Sequence, residues 1–161
     1  MSEILGALFK YVAMVLGVGA VMMVLYNAFG QNKVGSAISD LTQLEGNIQS
    51  LYTGSTPFTT LTTAVAVSGK LAPASMISGT NLSNPWGGSP TVAVNAGNSA
   101  QYDVTEPNVP PDACAKFIGA FSSAVVGLKV NGTAQTLPLD PGNAVTACNL
   151  TANTMIFTFG H

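Results

Sequence analysis

The chain has 161 residues, of which 47% are hydrophobic and only 7% charged, with a formal net charge of −2; an ordinary soluble domain carries about 25% charged residues. Its basic residues, Lys10, Lys33, Lys70, Lys116 and Lys129, are scattered, which excludes a nucleic-acid footprint. A surface this poor in charge must be built from Thr, Ser, Asn, Gln and Gly, and it packs against copies of itself with little penalty from buried charge.

Residues 4–29 form one apolar segment broken only by Lys10 and Asn27, with no second such stretch after it. As a helix it is about 39 Å long at ~1.5 Å per residue, enough to cross the ~30 Å hydrocarbon layer of a bilayer. A secretory signal peptide is the bland alternative. It fits poorly, because the segment opens Met-Ser-Glu, runs apolar from Tyr11 to Tyr26 and is followed by no small-residue cleavage site. From Val34 the apolar residues recur as Val34, Ile38, Leu41, Leu44, Ile48, Leu51 and Tyr52, one face of a helix, and no proline occurs between Met1 and Thr56. The pattern predicts one helix of about fifty residues, apolar all round in its first half and amphipathic in its second. Gly30, Gly35 and Gly46 are its weak points.

Beyond it, Thr56-Pro57 is expected to open a short helix over Phe58 to Val67, ended by Lys70-Leu71-Ala72-Pro73. Asn84-Pro85-Trp86-Gly87-Gly88 is a turn cluster. Thr91 to Val94 and Gln101 to Val104 alternate as an antiparallel pair across the loop Asn95 to Ser99. Pro110-Pro111-Asp112 introduces a helix over Ala113 to Ala124, Val125 to Val130 reads as a strand before the turn Asn131-Gly132, Asp140-Pro141 starts a short helix reaching Cys148, and Thr154 to Phe159 is a final strand. The fold class is α+β, an antiparallel sheet laid against the amphipathic half of the long helix. The expected division is an apolar helix over 1–30, serving as membrane anchor or filament core, and a globular domain over 31–161.

Cys114 and Cys148 are the only cysteines, in a part of the chain that would lie outside the cytoplasm. A disulfide is the natural reading, two free buried thiols the alternative. A metal site is poorer still, since the only histidine is His161 and no Cys-x-x-Cys occurs. No constellation supports an enzyme, and Gly17-Val18-Gly19 lies within the apolar segment, where it cannot act as a phosphate loop. Asp103 and Glu106, with Asn108, read as a solvated loop rather than an acid or metal pair, and Trp86 as core or turn packing rather than a ligand platform. The Asn-x-Ser/Thr triplets at Asn81, Asn131 and Asn149 are what chance supplies in a chain rich in Asn and Thr.

The apolar helix extended into an amphipathic one, Leu61-Thr62-Thr63-Ala64-Val65-Ala66 after it, the Asn84 to Gly88 turn, Val109-Pro110 before a cysteine-bearing helix and a second cysteine shortly before a final strand together resemble the type IVb pilins. Within these the chain is most similar to the pilins of conjugative-plasmid thin pili and their relatives in enteric pathogens, and the resemblance covers nearly its whole length. It implies the type IV pilin fold, a long N-terminal α-helix packed on an antiparallel β-sheet. It implies a major pilin, without enzymatic activity or cofactor, that polymerises through its N-terminal helix into an extracellular pilus for cell-cell contact, adhesion or conjugation. The implied partners are further copies of the chain, a prepilin peptidase and assembly machinery, the inner membrane of a Gram-negative bacterium before assembly, and a host or recipient cell surface afterwards. Met1 would then be the processed and methylated first residue, and Glu3 the acidic assembly determinant, although it sits nearer the start than the family pattern has it. The proline usual within the apolar segment is absent, which leaves Gly17 and Gly19 to supply local melting.

The chemistry of Glu3 can be argued separately. A carboxylate among apolar helices costs about 2.5–3.5 kcal/mol at a membrane centre and is relieved by an opposite charge. The Met1 amine of a neighbouring subunit, Lys10 of a neighbour and Lys10 of the same helix are the candidates. The plainer reading leaves Glu3 at the polar interface with Lys10 snorkelling. A membrane-anchored periplasmic binding or scaffold domain is the second function class, with a minor pilin or pseudopilin between the two.

Overall fold

The computed structural model describes residues 32–54 and 57–160. The apolar segment, with Met1, Glu3 and Lys10, lies outside the described residues. Backbone contacts group Ser36–His161 as one compact unit.

Helix α1 covers residues 32–51. Ala37, Leu41, Leu44 and Ile48 are buried along one face, followed by Tyr52 just past the helix. Two positions of the expected apolar face fall outside it: Ile38 is half-exposed, with Ala37 taking its place, and Leu51 is 57% exposed. Adjacent residues on a helix point about 100° apart, so once Tyr52 closes the stripe Leu51 must face away. Beside this buried face, polar side chains also tie the helix to the rest of the domain. Asn47 Nδ2 donates to the Leu71 carbonyl at 2.7 Å, and Ser75 Oγ donates to Asp40 Oδ1 at 2.7 Å.

Helix α2 spans Thr63–Ser68, starting later than the proline at 57 suggested. Phe58 is 0% exposed and its amide donates to Ser99 O at 2.8 Å, so this stretch is held as a loop. Extended Thr62 then caps the helix, its hydroxyl accepting from Val65 N at 3.2 Å. A 3-10 turn at Ala74–Met76 leads to a hairpin of β1, Ile77–Ser78, and β2, Asn81–Leu82. Elements this short leave no periodicity to read.

The main sheet contains β3 (Thr91–Val94), β4 (Gln101–Val109), β5 (Gly127–Val130), β6 (Thr133–Ala134) and β7 (Asn153–Gly160) in the order β3-β4-β7-β5-β6, with every pair antiparallel. Asn131 (φ 50) and Gly132 (φ 81) turn β5 into β6, the left-handed pair that a two-residue hairpin requires. Helix α3, Pro111–Phe121, precedes β5, and α4, Pro141–Ala147, precedes β7.

Val104, Phe157 and Leu128 lie opposite one another across the three central strands, all buried. On this inner face the aromatic rings form a connected row. Tyr52 meets Phe58 at 5.1 Å, Phe58 meets Tyr102 at 4.9 Å, and Tyr102 stacks on Phe159 at 5.4 Å. Phe159 meets Phe121, Phe121 meets Phe157 at 5.5 Å, and Phe117 carries the row to Trp86 at 6.0 Å. The sheet therefore packs on α1 at one end through Tyr52 and Phe58 and on α3 at the other through Phe117 and Phe121. Burial, and secondly the Glu45 carboxylate, push the Tyr102 phenol up, so it stays protonated inside this core.

Candidate functional site

Cys114 on α3 and Cys148 at the end of α4 form a disulfide, with Cα atoms 5.9 Å apart and a sequence separation of 34. Both are buried. The bond fastens α4, whose own start is built by Pro141 and by Asp140 Oδ1 accepting from Gly142 N at 2.8 Å. Asn153, 0% exposed at the start of β7, braces the same corner. Its Nδ2 donates to Val109 O at 3.1 Å and to Leu150 O at 2.7 Å, and its Oδ1 accepts from Asn131 Nδ2 at 2.8 Å and Leu150 N at 3.2 Å. Asn131 Oδ1 in turn accepts from Thr154 N at 3.0 Å, and its Nδ2 reaches Ala147 O at 3.3 Å. Between the β5–β6 hairpin and α4 these ties hold open a cleft of about 560 Å³ lined by Thr133, Thr136, Asp140, Asn143 and Asn149 among others. Val145, 64% exposed, and Leu150, 49% exposed, lie on the same stretch of chain.

The second constructed region is the turn at Asn84. Asn84 Oδ1 accepts from Trp86 N at 3.2 Å and Gly88 N at 2.8 Å, while its Nδ2 donates to Pro107 O at 2.7 Å and Glu106 Oε2 at 3.2 Å. Gly88 is required there, because a Cβ would collide with the Pro107 carbonyl and the Asn84 amide. Asp103 and Glu106 form no solvated loop. Both lie on β4, whose extension to Val109 puts them on opposite faces. Asp103 accepts from Asn95 Nδ2 at 3.0 Å and Thr158 Oγ1 at 2.6 Å, and Glu106 is 2% exposed.

The cysteine pair is thus brought together as the sequence suggested, while Met1, Glu3 and Lys10 fall outside the described residues. The side-chain bonding of Asn84, the burial of Glu106 and the brace at Asn153 escaped sequence reasoning. Asparagine is common throughout the chain, and the one available signal was Glu106 at an inward position of an alternating strand. Among the described residues no group of three His, Cys, Asp or Glu side chains is placed to hold a metal, and no helix is long and apolar enough to cross a membrane.

A family model for bundlin matches residues 27–156. The chain belongs to the bundlin family. It is a type IVb pilin, and the solved structures it is similar to carry the same fold. A type IVb pilin from Salmonella typhi is 21% identical with a TM-score of 0.66, the match covering 79% of this chain and 99% of that one. TcpA, a type IV pilin from Vibrio cholerae El Tor biotype, is 12% identical with a TM-score of 0.54, covering 79% of this chain and 98% of that one. No curated protein sequence matches the chain significantly. Pilins are structural subunits of extracellular pili, and the disulfide-bound corner and the Asn84 turn are parts of that subunit's architecture.

Trp86 in this pilin is half-buried against the edge of Phe117 rather than fully enclosed. Trp86→Ala is therefore expected to cost about 1–3 kcal/mol, below the ~3–5 kcal/mol of a full core truncation. Thermal unfolding of parent and variant checks this, and equal midpoints would place the ring outside the packing.

Proposed function

We propose that this pilin is the major subunit of an extracellular type IV pilus that makes contact with other cells, by conjugation or adhesion. Residues 4–29 leave the inner membrane of a Gram-negative cell to pack as a helical bundle in the filament core. The observation that carries the reading is the combination of that single long apolar segment with a chain only 7% charged, because such a surface meets copies of itself without burying unpaired charge. A prepilin peptidase would release Met1 as the mature, methylated N-terminus, and the assembly machinery would dock each subunit.

Glu3 sets the register in this scheme. Unit charges 4 Å apart attract by about 4 kcal/mol at an effective dielectric of 20, so the carboxylate of an incoming subunit and the Met1 amine of its neighbour, or failing that Lys10, align the helices before apolar packing locks them. Glu3→Ala is expected to leave the protein membrane-inserted, folded and disulfide-bonded while abolishing most filaments, and Lys10→Ala is expected to matter less. Electron microscopy of cells carrying the chain with its assembly machinery is the measurement. Absence of filaments from the parent chain would favour a minor pilin or an anchored periplasmic domain, and normal filament yield from Glu3→Ala would show that apolar packing alone sets the register.

A further inference from the structure

Asn131-Gly132 is the only Asn-Gly pair in the chain, and it forms the tip of the β5–β6 hairpin with both residues in the left-handed region, at φ 50 and 81. Such a pair has a chemistry of its own. Glycine carries no Cβ to hinder its amide nitrogen, so in an open chain that nitrogen attacks the side-chain carbonyl of the asparagine before it. Gly132 is exposed, with nothing within 4 Å of where a Cβ would stand.

In the folded domain the Asn131 side chain is aimed elsewhere. Its Oδ1 accepts from Thr154 N at 3.0 Å, and its Nδ2 donates to Asn153 Oδ1 at 2.8 Å and to Ala147 O at 3.3 Å. Its backbone amide donates to Thr154 O at 2.8 Å. Both ends of the side-chain amide are thereby turned onto β7 and the end of α4, and the nitrogen that would have to leave is the one held by two acceptors. Attack by Gly132 requires these bonds to break, which means opening the hairpin tip away from β7 and α4.

We propose that Asn131 is a self-modification site that the closed corner protects: each opening exposes it to attack by Gly132, and the acid that forms keeps the corner from closing as before. The inference goes beyond the assembly reading and rests only on the folded domain. In the first step Gly132 N bonds to Asn131 Cγ, the Cγ–Nδ2 bond breaks, and Nδ2 leaves as ammonia with the proton from the Gly132 amide. Water then opens the ring at one of its two carbonyl–nitrogen bonds, giving aspartate or isoaspartate. Aspartate at this position puts a carboxylate oxygen where Nδ2 stood, facing Asn153 Oδ1 and Ala147 O with no proton to offer either. Flipping the Asn153 amide brings no relief, because its Nδ2 is committed to Val109 O and Leu150 O. Isoaspartate adds a methylene to the backbone of the turn between the paired Val130 and Thr133, which spoils their register. A subunit therefore accumulates the change in proportion to the time its corner has spent open.

The full chain in detergent micelles and the same chain unfolded in denaturant, incubated side by side at about pH 8, test the site. The amide-to-acid mass gain is placed at Asn131 by fragmentation, and isoaspartate is resolved by chromatography. The unfolded chain is expected to convert at least about tenfold faster than the folded one. Equal rates, or no conversion at Asn131 in the unfolded chain, would overturn the proposal. The consequence of the acid is read from Asn131→Asp against Asn131→Ala, which loses the same bonds without gaining a charge. Asn131→Asp is expected to be cut within residues 135–148 several times faster than Asn131→Ala, and its failing to fold where Asn131→Ala folds counts the same way. Cutting of Asn131→Asp no faster than Asn131→Ala would overturn the claim that the acid holds the corner open.

Discussion

Asn153→Ala is expected to destabilise the pilin by about 3–5 kcal/mol, among the largest effects available to a single polar substitution in this fold. The side chain has no exposed surface and uses both ends of its amide: the nitrogen donates to Val109 O and Leu150 O, the oxygen accepts from Asn131 Nδ2 and Leu150 N. Alanine strands the buried Val109 carbonyl and one bond of Asn131, at ~1–3 kcal/mol for each buried group left unpaired, and leaves a small void. Leu150 lies near solvent and can turn to water, so its two bonds count for less. Asn153→Asp is no rescue. It keeps the acceptor but turns a carboxylate toward two carbonyl oxygens. Against a typical total stability of ~5–15 kcal/mol, losses of this size lower the amount of folded subunit. Chemical denaturation in detergent, followed by circular dichroism, should show both variants far below the parent. A midpoint unchanged in Asn153→Ala would mean that water replaces the amide without cost.

Removing the disulfide is the second large effect. A sequence separation of 34 corresponds to about 4 kcal/mol of unfolded-state entropy on the chain-closure model, whose mechanism is debated. The Cys114→Ala, Cys148→Ala double variant should lose about that much, and unevenly. Helix α3 remains held by Phe117 and Phe121 on the sheet, whereas α4 buries only Ala144 along its length and depends on the bond at its end. Limited proteolysis should accordingly cut first within residues 135–148, leaving α3 and β7 intact. A double variant that resists protease as the parent does would show that the Asn131 and Asn153 brace suffices alone.

How far the fold was legible depended on the range of the interactions involved. Asn131-Gly132, Pro110-Pro111 and Asp140-Pro141 mark a hairpin and two helix starts by local backbone chemistry, and all three stand where that chemistry puts them. The alternation in Thr91 to Val94 and in TMIFTF likewise gave strands of the right type. Local reasoning failed where a distant residue decided the outcome. Pro57 would have opened a helix, but Phe58 is drawn into the core and bonded to Ser99. The expected strand ended at Val104, and Glu106, Pro107 and Asn108 after it read as a loop, yet β7 pairs on past that point and shifts register between Glu106 and Val109 to accommodate it. The disulfide was legible because only two cysteines exist. The Asn84 to Glu106 bond was not, since two polar residues 22 positions apart carry no mark of their meeting.

The strand order has a consequence for how a subunit comes into being. β7 is the last strand along the chain, yet it is the central one in space, flanked by β4 on one side and β5 on the other. Until Asn153–Gly160 is available, β3 and β4 form a detached hairpin, β5 and β6 form another, and the inner face has no Phe157 or Phe159 to pack upon. A chain made from its first residue onward therefore cannot complete this sheet until its last strand is present, and closure joins segments far apart in sequence, the kind of topology that folds slowly. Anything that holds back those eight residues leaves the two hairpins unjoined, and their arrival is the moment at which the sheet becomes one object.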